Sequence, residues 1–206
     1  MVSLFAHSFT RRRARAADRA RGPLAQYYRA PIPAESTGTG DLELLALDLE
    51  CSSLDLDRAD ILSIGWVPVS GGRLHLADSH RVIVNTGREV GDTVVLHGLT
   101  DEVIASGVPL ADAVEQVLAA AAGRVLLAHH AVIETTLLSR ACEKFFGAAF
   151  LPPVIDTLAL QRRLLGRDRR SPDHSGLNLW QARQRYGLPR YRGHDALTDA
   201  LACGEL

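Results

Sequence analysis

The segment from Leu42 to Leu49 constrains the fold most. It is almost continuous in apolar residues, and two carboxylates, Asp48 and Glu50, lie at its end. A short run this apolar suits a strand buried on both faces, the kind found inside α/β sheets. Side chains two apart on a strand point to the same side. Asp48 and Glu50 then converge at the C-terminal end of a buried strand, where α/β sheets place their ligands. Burying like charges together is costly unless a cation or a proton intervenes. The competing reading is that the strand has already ended and both acids are solvated.

The pattern that follows extends the sheet. Ile61 to Val69 reads as a second strand, Ser70-Gly-Gly-Arg73 as a hairpin turn, and Leu74 to Val84 as a third strand. Leu110 to Ala122 has the stripe of an amphipathic helix and is closed by Gly123. Val125 to His129 is a short strand. Ala131 to Phe146 is a helix that turns Ile133, Leu137, Leu138, Ala141 and Phe145 inward. Val154-Ile155 leads into a helix at about 157–165, followed by a polar, Arg-rich loop from Gly166 to Ser175. Leu177 to Tyr186 and the stretch from Asp195 onward are the last helices. The expected architecture is α/β: a mixed sheet built from a three-stranded antiparallel meander plus short parallel strands, flanked by helices. Residues 1–40 read as an Arg-rich extension and linker, and residues 41–206 as the domain.

Composition narrows the function. The 206 residues allow one domain with a real core, and 47% are hydrophobic. No apolar run approaches the roughly 18 residues that span a bilayer, so no membrane role is expected. The three cysteines lack metal-knuckle spacing, which argues against a disulfide framework or zinc finger and for a reducing, cytoplasmic setting. Residues 1–40 carry seven Arg against Asp18 and Glu35, a balance of +5, and the remainder carries −6. The domain is therefore no uniformly basic clamp; contact with a polyanion needs local Arg clusters or metal ions. The arm has no apolar stretch after its arginines, so it is no secretory signal. It reads either as a solvated helix or as a phosphate-binding arm.

Two further acidic positions stand out. Glu134 follows Leu127-Ala-His-His-Ala-Val-Ile one turn into a helix that directly succeeds a strand, so it too can face the sheet end. As a first-turn acid it also suits the helix dipole. In His194-Asp-Ala-Leu-Thr-Asp199, Pro189 and Gly193 keep His194 outside the helix. On one continuous helix a spacing of five splays two residues by roughly 140°. With His194 on the entering loop, both can reach one cleft. The plainer reading is a surface histidine beside a helix N-terminal acid.

Taken together, Asp-x-Glu on a first strand, an acid after Ala-His-His, and His-x-Ala-x-x-Asp near the C-terminus resemble the DEDD exonuclease superfamily, in its His-bearing branch (DEDDh). That branch includes the epsilon subunit of bacterial DNA polymerase III and ribonuclease T. Ile61-Leu-Ser-Ile-Gly65, Leu96-His-Gly-Leu-Thr100 and Val154-Ile-Asp-Thr-Leu158 support the likeness. The resemblance implies a ribonuclease H-like sheet and a 3′–5′ exonuclease that uses two divalent cations, Mg²⁺ or Mn²⁺. It implies Asp48, Glu50, Glu134 and Asp199 as metal ligands and His194 as the general base, since imidazoles titrate near neutrality. It further implies that Leu49, Cys51, Ser52, His97, Gly98, Leu99 and His130 shape the substrate site. The expected partner is a nucleic-acid 3′ end, single-stranded DNA above all, with a polymerase as a further partner.

The chain departs from the family pattern in places. Cys51-Ser52-Ser53 stands where Thr-Thr-Gly is usual, Glu134 replaces an Asp and His130 replaces an Asn. Glu is one methylene longer than Asp and can still ligate. The other functions in contention are an RNA 3′-end trimming exoribonuclease and a catalytically weak module that binds nucleic acid or a polymerase.

Overall fold

The computed structural model describes residues 4–34, 36–88, 99–167 and 177–206. Its strands are β1 (Leu44–Cys51), β2 (Ile61–Ser70), β3 (Arg73–Leu74), β4 (His80–Asn85), β5 (Val108–Pro109), β6 (Val125–Ala128) and β7 (Val154–Asp156). They form one seven-stranded sheet in the order β5-β4-β2-β1-β6-β7, with β3 paired to β2. β1, β2 and β4 are antiparallel neighbours, whereas β6 runs parallel to β1 and β7 parallel to β6. This is the mixed α/β sheet the sequence pattern predicts. β1 continues through Cys51, so Asp48 and Glu50 both lie within the strand.

The third strand expected over Leu74 to Val84 is broken instead. β3 covers two residues, a 3₁₀ turn follows at Leu76–Asp78, and β4 begins at His80. Pro68 explains the break. Its carbonyl accepts from the His75 amide at 2.9 Å, so it faces the β3–β4 edge, and its nitrogen has no hydrogen to offer that edge. Gly71 and Gly72, with φ of 55° and 68°, make the two-residue turn before β3.

The faces of β1 alternate. Leu45, Leu47 and Leu49 enter the main core, while Ala46, Asp48 and Glu50 point to the other side. The main core is closed by α4 (Leu110–Ala121) and α5 (Val132–Phe146). Leu138, Ala141 and Cys142 fill the inward stripe of α5, but Phe145 is 40% exposed rather than inward. Phe145 instead lines a pocket with Ile61, Val84 and Leu110. Gly123 and Gly147 take the left-handed conformation just past these helices.

The N-terminal helices α1 (Leu4–Arg19) and α2 (Gly22–Arg29) lie outside α4 and α5. Leu24, Tyr27 and Ala16 join the main core. Arg13 turns inward: it donates to Tyr27 Oη at 3.1 Å and to the Leu151 carbonyl at 2.6 Å, and it stacks over the Tyr27 and Tyr28 rings. On the opposite face of the sheet α8 (Ala196–Glu205) packs against β1 and β2. Between them run the short α3 (Asp101–Ala105), α6 (Thr157–Arg167) and α7 (Leu179–Arg185). α7 starts two residues later than the pattern suggests, because the Asn178 side chain caps it. No helix among the described residues is long and apolar enough to cross a membrane.

Candidate active site

The site is built where α8 meets the end of β1. Asp48 pairs in register with Gly65 of β2, and Gly65 pairs with Arg81 of β4, so one row across the sheet carries an acid, a gap and a cation. The N-terminus of α8 sits over the gap. A Cβ at Gly65 would lie 2.2 Å from the backbone of Ala196 and Leu197. Ala196 and Ala200 are fully buried and keep the helix low on the sheet. That close approach brings Asp199 to Asp48 and Glu50. One carboxylate oxygen from each lies within 4.8 Å of the others.

The turn into α8 fixes the orientation of Asp199. His194 takes a left-handed conformation with φ of 67°, and its amide donates to Asp199 Oδ2 at 2.9 Å, while the residue itself stays exposed. A positive φ at a non-glycine residue is strained and tends to mark a functional turn. Asp195 caps α8 by accepting from the Thr198 amide and hydroxyl, both at 2.9 Å, and its other oxygen meets Arg81 at 2.7 Å. Arg81 thus anchors the turn that carries His194 and Asp199. Arg81→Gln is expected to reduce turnover about tenfold, with Arg81→Lys recovering part of it, while the melting temperature falls by only a few degrees, as suits a half-exposed ion pair. Loss of stability without loss of turnover would show that the arginine only braces the fold.

Glu134 reaches the same region from α5. It is 2% exposed, and its Oε2 has no hydrogen-bond partner among the described residues. It is not one of the three carboxylates that lie within 4.8 Å of one another, but it is the strongest neighbouring charge at Asp48. The preceding turn is held by Asp156, which accepts from the amides of His130 and Ala131 and also caps α6 through Leu158 and Ala159. His130, exposed and with φ of 78°, sits on that turn. His129 points elsewhere and bridges Thr157 Oγ1 and the Leu177 carbonyl, both at 2.8 Å.

The other candidate residues are placed as follows. Leu49 is buried in the main core, facing away from the acids. Cys51 is half-buried beyond a β-bulge that inserts Leu62 opposite the Glu50–Cys51 step. Ser52 closes its own loop: its amide donates to the Asp60 carbonyl, and its hydroxyl accepts from the Asp60 amide. Leu99 is buried against Leu62 and Ile104, which leaves its backbone for any contact with substrate. His97 and Gly98 lie outside the described residues, as do Arg169 and Arg170 of the Arg-rich loop. Gly65 and Arg81 are the positions that local motif reading misses. Gly65 ends a quoted motif, but nothing near Arg81 in sequence signals its partner 114 residues away.

The electrostatics suit a cation. Burial, followed by the charges of Glu134, Asp199 and Glu50, holds Asp48 well above the usual carboxylate range. Burial and then Asp199 push Glu50 up to about 7, and burial pushes Glu134 up to about 8. Asp199 is raised by burial as well. Asp199 Oδ1 and Glu134 Oε2 are buried without hydrogen-bond partners among the described residues, and hard oxygen ligands of this kind fit Mg²⁺ or Mn²⁺. A pH dependence follows. The unfolded chain releases these protons near pH 4.5, while the folded chain retains them to about 7 and 8. Stability is thus fully present below the unfolded value and is lost as pH rises through the folded values. In EDTA the melting temperature is expected to fall between pH 4.5 and 8, and millimolar Mg²⁺ or Mn²⁺ to restore it at pH 8. A flat or rising EDTA curve over that window contradicts this electrostatic picture.

Comparison with known proteins agrees with this geometry. The sequence profile of the exonuclease family matches residues 45–206. The chain is 28% identical over 168 residues to the PolC-type DNA polymerase III of Thermotoga maritima, covering 81% of this chain and 12% of that protein. It is 29% identical over 166 residues to a DNA polymerase III subunit epsilon-like protein of Rhodobacter capsulatus, covering 80% of this chain and 23% of that one. The chain thus spans about an eighth to a quarter of the length of these relatives. Among solved structures, the nuclease domain of 3′hExo, a DEDDh family member bound to rAMP, shares the fold. The TM-score is 0.64 at 13% identity, over 82% of this chain and 90% of that one.

Proposed function

The chain belongs to the exonuclease family over residues 45–206, and from that membership we propose that it is a divalent-cation-dependent 3′–5′ exonuclease that shortens single-stranded DNA and releases nucleoside 5′-monophosphates. The observation that carries the reading is the triangle of Asp48, Glu50 and Asp199, closed by the His194 amide on Asp199. These three carboxylates, together with Glu134 from α5, would hold the cations. Bound there, divalent cations would offset the charge of the scissile phosphate and make water a stronger nucleophile.

The protein's own groups divide the remaining work. In this reading the exposed His194 imidazole, carried on the strained turn, accepts the proton of the attacking water at a ring nitrogen. The amide of the same residue keeps Asp199 aimed inward, so base and ligand are set by one turn. In this reading the backbone of Cys51 and Ser52, the His97-Gly98-Leu99 segment and His130 orient the terminal nucleotide. DNA is favoured over RNA because both relatives are named as DNA polymerase III proteins. A polymerase partner rests on the same names. The three free thiols suit a reducing cytoplasm.

The test is one gel. Purified protein is incubated with 5′-labelled single-stranded DNA and matched RNA, in Mg²⁺, Mn²⁺ or EDTA, beside Glu50→Ala. A ladder that shortens from the 3′ end of DNA, and disappears in EDTA and in the variant, is expected. Faster shortening of RNA would reassign the substrate. No shortening in either metal, with strand binding retained, would make the chain a binding module.

A further inference from the structure

The exposed arginines of α1 have no part in the site, yet they make up most of the seven arginines of residues 1–40. Arg11, Arg12, Arg15 and Arg19 are all exposed, and none forms an ion pair among the described residues. Spacings of three and four put them along one side of the helix, over about 12 Å. The flank next to Arg12 is already used: Ala16 is buried in the main core and Arg13 is locked to Tyr27 and Leu151.

The direction of the ridge is informative. At its C-terminal end the Arg21 amide donates to the Phe146 carbonyl at 2.9 Å, and the Arg19 carbonyl lies 3.2 Å from where a Gly147 Cβ would stand. At its other end Phe9 and Arg12 line a groove of about 510 Å³ with Thr135 and Thr136, the residues directly after Glu134. α1 therefore runs alongside α5 and ends beside the turn that delivers Glu134 to the site. Asp57 and Glu143 line the groove beside Arg12, so the side of the ridge that carries Arg11, Arg15 and Arg19 is the surface that faces an anion.

We propose that the arginine ridge of α1 is a track for the phosphate backbone of the substrate strand, upstream of the 3′ end held at the acidic cleft. This rests on the reading of the cleft as an exonuclease site. The division of charge supports it. The domain beyond residue 40 carries −6 and repels a polyanion, while the extension carries +5 and is fixed to the domain by Arg13, Tyr27 and Tyr28. The track would hold long strands and contribute nothing to a substrate too short to reach it.

The test compares the wild type with Arg11→Gln/Arg12→Gln/Arg15→Gln/Arg19→Gln, leaving Arg13 intact. Binding of a labelled 30-mer single strand is followed by anisotropy in EDTA over a range of salt. Each lost phosphate contact lowers the slope of log K against log salt by about 0.7, so a fall of about 2 to 3 is expected. In Mg²⁺ the preference for the 30-mer over a trinucleotide, read as a ratio of KM values, should shrink about tenfold. The quadruple Lys variant should keep both properties. An unchanged salt slope overturns the proposal, and so does equal binding of polyglutamate, which would make the ridge a docking surface for acidic protein. If the slope falls but no strand is ever cut, the exonuclease reading fails while the nucleic-acid contact stands.

Discussion

Asp48→Asn should reduce hydrolysis by about a thousandfold or more while raising the melting temperature of the metal-free protein. The two effects share one cause. Asp48 is buried among Glu134, Asp199 and Glu50, and these charges together with burial hold its carboxyl far above the usual range. Folding therefore works against a negative charge at this position unless a cation compensates. An amide of the same shape removes the repulsion. A gain of several degrees is expected in EDTA at pH 8, at about 2–4 °C per kcal/mol for a domain of this size. The same change removes a hard anionic ligand, and a thousandfold loss corresponds to about 4 kcal/mol of transition-state stabilisation. Asn is a cleaner probe than Ala at Asp199 too, because an amide oxygen can still accept from the His194 amide. Melts in EDTA and in Mg²⁺, run beside the strand-shortening gel, check both halves. Wild-type turnover in Asp48→Asn would remove the site assignment, and a lower metal-free melting temperature would show that the acids are compensated by something other than a cation.

Gly65→Ala should be the most damaging single methyl in the domain. The added Cβ would stand 2.2 Å from the Ala196 carbonyl carbon and the Leu197 nitrogen, and 2.4 Å from the Ala196 oxygen. These are backbone atoms of α8, so no side-chain rotation relieves the contact. The helix must lift, and it carries Asp199 away from Asp48 and Glu50. Overpacking of this kind costs about 1–3 kcal/mol, and a displacement of about 1 Å at a reacting centre can cost about a hundredfold in rate. Gly204→Ala is the control further along the same helix. There the new Cβ would meet the Leu74 Cδ2 at 2.7 Å and Ala46 Cβ at 3.3 Å, and the leucine tip can move. Gly204→Ala should therefore keep most of its turnover. If Gly65→Ala fails to fold, a melting temperature well below that of Gly204→Ala still reads out the backbone clash. Wild-type melting and turnover in Gly65→Ala would refute the packing argument.

The order of the acidic residues is legible in the sequence because it depends on local periodicity. Asp48 and Glu50 share a face as any residues two apart on a strand do, and the strand continues through Cys51. Gly193 and His194 stand outside α8 because Asp195 is its cap. Other features depend on neighbours remote in sequence. The third strand is broken by a proline on the neighbouring strand, the cap of α8 is held by Arg81, and the turn that leads into α5 and Glu134 is tied to Asp156.

By itself the sequence determined which residues carry negative charge, which strand and helix ends they occupy, and the mixed α/β class of the sheet. Only the tertiary structure decided how closely those carboxylates approach and what holds them there. Charge and periodicity are properties of a short segment, whereas the gap at Gly65, the Arg81 anchor and the seating of α1 against α5 arise from surfaces that meet only when the chain has folded.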